Sequence, residues 1–239
     1  MQIVGVDSSS KSPGFFKFHL DENLNITKKE YLGFYCYSIP KRNKNFVIPK
    51  FENIISYNED LDFYNRVFLF KQYIKDFLKD VDYISFEDYA FGGNNLTELA
   101  EICSMIKLLA LENGTKLRLI SPIQNKQFAG NYKSKKPDMF DFYMKENDKI
   151  DLSHLPQIKV RAKGKNIGER DENGIAPLSD IIDSYYLCKL LHYELNAKRD
   201  ETFLNSISSF EKHVLTHTTP INKVPLYKRE FIKLDNIVS

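Results

Sequence analysis

The chain has 239 residues, 42% of them hydrophobic and 28% charged, a balance that excludes wholesale disorder and favours one sizeable domain with insertions. No apolar run approaches the roughly 20 residues of a membrane span, and Met1–Asp7 lacks the basic start of a secretory signal, so a cytoplasmic protein without membrane partners is expected. Three dispersed cysteines (Cys36, Cys103, Cys188) and five scattered histidines offer no disulfide or zinc framework, and a net charge of +2 says little about partners.

In chain order, residues 2–7 form a short apolar run ending in an acid, read as a buried strand. A Ser-rich turn with Pro13-Gly14 leads to a second strand over 15–20, paired with the first as a hairpin. A third, aromatic strand covers 29–38, and the basic, Asn-rich stretch 40–58 reads as a loop or small insertion. Apolar residues near a helical period predict a helix over 60–79. A fourth strand over 81–86 delivers Glu87 and Asp88 at its end. Gly92–Asn95 then breaks the chain before a strongly apolar helix over 96–112, stopped by Asn113-Gly114. A fifth strand covers 116–120, and short helices over 122–127 and 137–145 flank a basic linker. Residues 147–176 read as a polar excursion. Ser179 is the expected N-cap of a helix over 180–196, and the tail from 200 starts helical and turns irregular near Pro220 and Pro225.

Three strands followed by strand-helix alternation predict an α/β, ribonuclease H-like fold: a mixed five-stranded sheet with helices on both faces. The expected organisation is one domain over 1–199, with insertions near 40–58 and 147–176, and a C-terminal extension over 200–239.

Two patterns carry chemistry. Basic residues cluster at Lys41, Arg42 and Lys44, at Lys126, Lys133, Lys135 and Lys136, and at Lys159, Arg161, Lys163 and Lys165, which suggests a polyanionic partner. Four acids occupy privileged positions: Asp7 and Glu87 end strands, and Asp180 and Asp183 open the last long helix. If the first and fourth strands are parallel neighbours, Asp7 and Glu87 face one crevice. Three residues apart on a helix means about 60° of rotation and about 4.5 Å of rise, so Asp180 and Asp183 can address the same spot. Four converging carboxylates repel one another unless a cation stands among them. Oxygen-only ligation suits Mg²⁺, with Mn²⁺ able to substitute. Two such ions about 4 Å apart would support phosphodiester hydrolysis.

At these residues the sequence resembles the RuvC family of Holliday junction resolvases. The matching pieces are Ile3–Ser9 with its Asp7; Ile84–Phe91 with its Glu87; Leu99–Ile106; Pro122 through Lys136; and Ser179–Leu187 with its Asp-x-x-Asp. The resemblance implies a homodimeric, Mg²⁺-dependent endonuclease that nicks opposed strands of four-way DNA junctions and needs no small-molecule cofactor. It implies that Asp7, Glu87, Asp180 and Asp183 are the catalytic metal-binding acids and that Lys126 and Lys136 hold phosphates near the scissile bond. It also implies that Tyr89 or Phe91 wedges into the junction and that the 96–112 helix packs at the dimer interface. The composition, rich in Lys, Asn, Ile, Phe and Tyr, adds the expectation of a bacteriophage origin. The alternatives are a nuclease on forks, flaps or packaging intermediates, a catalytically silent DNA-binding module, and an actin-like ATPase. The ATPase is disfavoured because no second glycine-rich phosphate loop follows.

Overall fold

The computed structural model describes residues 1–39, 47–87, 96–131, 133–157, 175–218 and 223–234. Strand β1 (Gln2–Asp7) is nearly all apolar because it lies at the centre of the sheet, with both faces covered. It pairs antiparallel with β2 (Gly14–Leu20), and β2 pairs antiparallel with β3 (Ile26–Tyr37). On the other side β1 pairs in parallel with β5 (Tyr83–Glu87), and β5 in parallel with β6 (Lys116–Ile120). The resulting order β3-β2-β1-β5-β6, with these directions, is ribonuclease H-like.

The sheet has one strand more than the sequence predicts. Among the described residues it is six-stranded, because β4 (Ile54–Asn58) lies parallel to β3 at the outer edge. This segment falls inside the stretch read as loop. It is five residues long and buried only at Ile54 and Tyr57, and its partner is β3, so its strand character comes from tertiary pairing rather than from its own apolar content.

Helices cover both faces. Helices α1 (Phe63–Phe77) and α2 (Leu96–Glu112) pack over one, burying Phe70, Ile74, Ile102 and Ile106 against Val4, Val6, Phe15, Phe34, Ile84 and Phe86. Asp62 caps α1 by accepting from the Asn65 amide. Over the other face runs α5 (Leu178–Arg199), buried on nearly every side because the sheet lies beneath it while α3 (Pro122–Ala129), α4 (Lys136–Lys145) and α6 (Ser209–Thr216) surround it. The helix starts at Leu178, so Ser179 lies inside the first turn rather than capping it. Its hydroxyl donates to the Ile175 carbonyl instead. Among the described residues no helix is long and apolar enough to cross a membrane.

The segment 223–234 closes the sheet at β6. Ile232 bridges Leu117, and Phe231 packs on Tyr83. Arg118, pointing from β6 into the protein, donates to both Glu194 oxygens and to the carbonyls of Arg229 and Glu230. Glu194 is fully buried. Burial pushes its carboxyl up, and Arg118 pulls it back. Removing one partner of such a pair strands the other charge. Arg118→Met is therefore expected to cost about 3–5 kcal/mol in denaturant unfolding and to open the 223–234 segment to limited proteolysis. A loss below about 1 kcal/mol would show that the pair is not a structural anchor.

Candidate active site

The site forms where β1 and β5 end side by side. Their parallel register pairs Val6 with Phe86, so the next residues, Asp7 and Glu87, stand together at the carboxyl edge of the sheet. The two side chains are close enough for each to bear on the other's titration. Burial and then the neighbouring negative charge of Glu87 push the Asp7 carboxyl well above its ordinary value. Glu87 is raised as well, by burial first and also by Asp183, against the pull of Asp7, Lys136 and Lys126.

The other two acids arrive on α5, and bare backbone is what lets them approach. Asp7, Gly14 and Gly33 face one another across β1, β2 and β3. A Cβ on Gly14 would lie 2.4 Å from the carbonyl carbon and oxygen of Asp180; one on Gly5 would lie 2.0 Å from the Ser184 oxygen and 2.3 Å from the Cys188 nitrogen. At Gly5 and Gly14 helix α5 thus meets the strands without an intervening side chain, and its first turns carry the buried Asp180 and Asp183 up to Asp7. The dipole at the start of α5 favours Asp180 there.

Lys136 completes the cluster. Its Nζ is 2.9 Å from Asp180 Oδ1, 2.9 Å from Asp183 Oδ2 and 3.8 Å from Asp7 Oδ2. Burial alone would lower its ammonium, but Asp180, Asp183 and Asp7 together hold it well above the usual lysine value. Lys136 is the first residue of α4, the end of a helix where a cation is disfavoured, so the acids rather than α4 dictate its position. The start of α4 is shaped locally by Pro137 and by Asp138, whose carboxylate accepts from the Lys135 amide.

Helix α3 approaches from the side. Ser121 and Gln124 form a capping box with Pro122 in the first turn, which fixes where Asn125 and Lys126 project. Asn125 Nδ2 donates to the Asp183 carbonyl at 3.1 Å, pinning α5 from above. The positive charge of Lys126 acts on Glu87. Lys133 and Lys135 are exposed on the loop entering α4, beside the cluster.

The structure therefore brings Asp7, Glu87, Asp180, Asp183 and Lys136 into one cluster, with Lys126 near enough for its charge to bear on Glu87 and Lys133 and Lys135 exposed just ahead of Lys136. Tyr89 and Phe91 lie outside the described residues, as do the clusters Lys41–Lys44 and Lys159–Lys165. Two contributors were not foreseen. Ser12 donates to Asp180 Oδ2 at 2.6 Å, and Asn125 holds Asp183. The Ser-rich turn hinted at the first; nothing in the residue pattern marked the second.

The donor set fits a hard divalent cation, being all carboxylate oxygen with no imidazole or thiolate. Among the described residues no three such side chains are grouped so as to hold an ion as they stand, and the Lys136 ammonium lies 2.9 Å from both Asp180 and Asp183. A divalent cation would have to compete with that ammonium for the same oxygens.

A scan against protein-family models finds no match for this chain, and a search of curated proteins finds none. Among solved structures the chain is similar to Thermus thermophilus RuvC, at 13% identity and a TM-score of 0.46, over 82% of this chain and 97% of that one. It is also similar to T. thermophilus RuvC in complex with a Holliday junction substrate, at 12% identity and a TM-score of 0.49, over 84% and 97%. The ribonuclease H-like fold itself stands on the strand order and pairing directions.

Proposed function

We propose that this chain is a metal-dependent DNA endonuclease acting on branched DNA, with the four-way junction as its substrate. One observation supports the reading above all. Carboxylates from β1, β5 and the start of α5, distant in sequence, meet around a single cationic centre beyond the ends of two parallel strands.

Asp7, Glu87, Asp180 and Asp183 would hold Mg²⁺, which would supply activation of a water and stabilisation of charge on the leaving oxygen. The protein's own groups do the rest. Crowded, partly desolvated carboxylates gain from any cation that enters, which makes the cluster a cation trap. Lys136 neutralises them beforehand and, once displaced toward the substrate, offers its charge to the scissile phosphate. Lys126 lies on the Glu87 side to hold a neighbouring phosphate, and Lys133 and Lys135 extend the positive margin along the backbone.

Two active sites related by a twofold axis match a junction whose opposed strands are nearly equivalent, so the working unit is a homodimer. Helices α1 and α2, on one face of the sheet, expose Tyr64, Phe68, Leu96 and Leu108, the apolar surface that such pairing would cover.

The test is incubation of the protein with synthetic four-way junction, fork, flap and linear duplex, with Mg²⁺ or with chelator. Paired symmetric nicks in the junction, dependent on Mg²⁺ and absent from linear duplex, are expected. Preferential cutting of flaps or forks would replace the substrate assignment.

The position of Lys136 favours one second reading, a DNA-binding module whose acids are satisfied permanently by that ammonium. Tight junction binding with no nicking in any divalent cation would select it.

A further inference from the structure

We infer that Ser12 is a positioning residue that limits Asp180 to one metal-facing oxygen and thereby sets the site's preference for a small octahedral cation over calcium. This inference rests on the metal-dependent reading above.

Ser12 belongs to the turn between β1 and β2. It is 5% exposed, and its hydroxyl donates to Asp180 Oδ2 at 2.6 Å across 168 residues of sequence. The turn is built to hold that hydroxyl in place. Ser9 Oγ accepts from the Ser12 amide at 3.1 Å and lies 3.3 Å from Ser12 Oγ. The Tyr57 hydroxyl donates to the Lys11 carbonyl, tying the turn to β4. Two residues further on, Gly14 lies flush against the Asp180 backbone. Turn and helix start are therefore one rigid contact, and Ser12 is its polar element.

The consequence lies in how Asp180 divides its two oxygens. Oδ2 is engaged by Ser12, while Oδ1 accepts from Lys136, the ammonium that also meets Asp183. A carboxylate held in this way presents one oxygen to a cation. Mg²⁺ requires near-octahedral geometry from single oxygens, whereas Ca²⁺ accepts six to eight ligands and readily takes a carboxylate through both. Freeing Oδ2 removes the restriction. Groups that orient metal ligands in this way typically alter metal affinity about 10–100-fold when removed.

The experiment measures Mg²⁺ and Ca²⁺ binding to the full chain by calorimetry, without DNA, for wild type, Ser12→Ala, Ser12→Thr and Ser12→Val. Threonine and valine share a shape and differ in the hydroxyl, so that pair separates hydrogen bonding from packing even if the alanine variant folds poorly. The ratio of Mg²⁺ to Ca²⁺ affinity is expected to fall about tenfold in Ser12→Ala and Ser12→Val and to be restored in Ser12→Thr. An unchanged ratio in folded Ser12→Val, with wild type binding Mg²⁺, would overturn the role of Ser12 and leave the function reading standing. Wild type binding neither cation would overturn that reading and this inference with it.

Discussion

Replacing Asp7 by asparagine is expected to abolish junction nicking while making the metal-free protein more stable at neutral pH. The two effects share one cause. Asp7 is buried beside Glu87, Asp180 and Asp183, and its carboxyl titrates well above the ordinary value of 3.8. A group whose folded pKa is raised binds more protons in the folded than in the unfolded state between the two values, so stability falls as pH rises through that window. Wild type, without divalent cation, should therefore lose stability from about pH 4 upward, and Asp7→Asn should lose less. The gain at pH 7 is expected to be roughly 1 kcal/mol, or about 2–4 °C in melting temperature for a chain of this size, and it should vanish in acid. Lys136 keeps two partners, Asp180 and Asp183, so the substitution does not strand it. Nicking should drop at least about 10³-fold with junction binding retained. Calorimetric melting across pH, beside a nicking assay, checks both. A less stable Asp7→Asn protein at neutral pH would mean that the acids are structural partners and not a strained cation trap.

Adding one methyl group at Gly14 should cripple the site without replacing any acid. The new Cβ would sit 2.4 Å from the Asp180 backbone, and backbone cannot swing aside as a flexible side chain can. The start of α5 must lift, taking Asp180 away from Ser12 and Asp183 away from Asn125 together. Displacements of about 1 Å at a reacting centre cost on the order of 10²-fold in rate, and the overpacking itself about 1–3 kcal/mol. Gly5→Ala is the contrasting variant. Its clash, 2.0 Å from the Ser184 oxygen and 2.3 Å from the Cys188 nitrogen, falls just past Asp183 and further from Asp180, so it should cost at least as much stability while disturbing the contact between Ser12 and Asp180 less. Denaturant unfolding with single-turnover nicking separates the two. Gly14→Ala with wild-type rate would show that α5 is not seated as described.

The strand order was legible because each central strand announces itself as an apolar run, and Asp7 and Glu87 fall at the ends of two of them. The pair Asp180 and Asp183 was legible from helical spacing alone. What escaped reading depends on contacts far along the chain. Strand β4 is half-exposed and gains its character from β3. Ser179 looked like a cap because serine before an acidic first turn usually is one, yet the helix begins before it. Lys136 was visible only as one lysine in a basic cluster, and its place between two aspartates depends on how α4 meets α5. Ser12 and Asn125 carry no charge, and although Asn125 lies in the stretch from Pro122 to Lys136, only the folded chain connects either residue to the acids.

The seating of α5 on β1 and β2 also has a consequence for biosynthesis. Ser12 and Asp180 are separated by 168 residues, so the hairpin leaves the ribosome long before the helix that covers it. Until then Phe16, Phe18 and Tyr31 lack their main apolar cover. Nascent chains ending before residue 178 should consequently be sticky, dependent on chaperones and inert. The carboxylate cluster is assembled only once α5 has been made, so under the proposed function a polypeptide that stops short of that helix would not cut DNA.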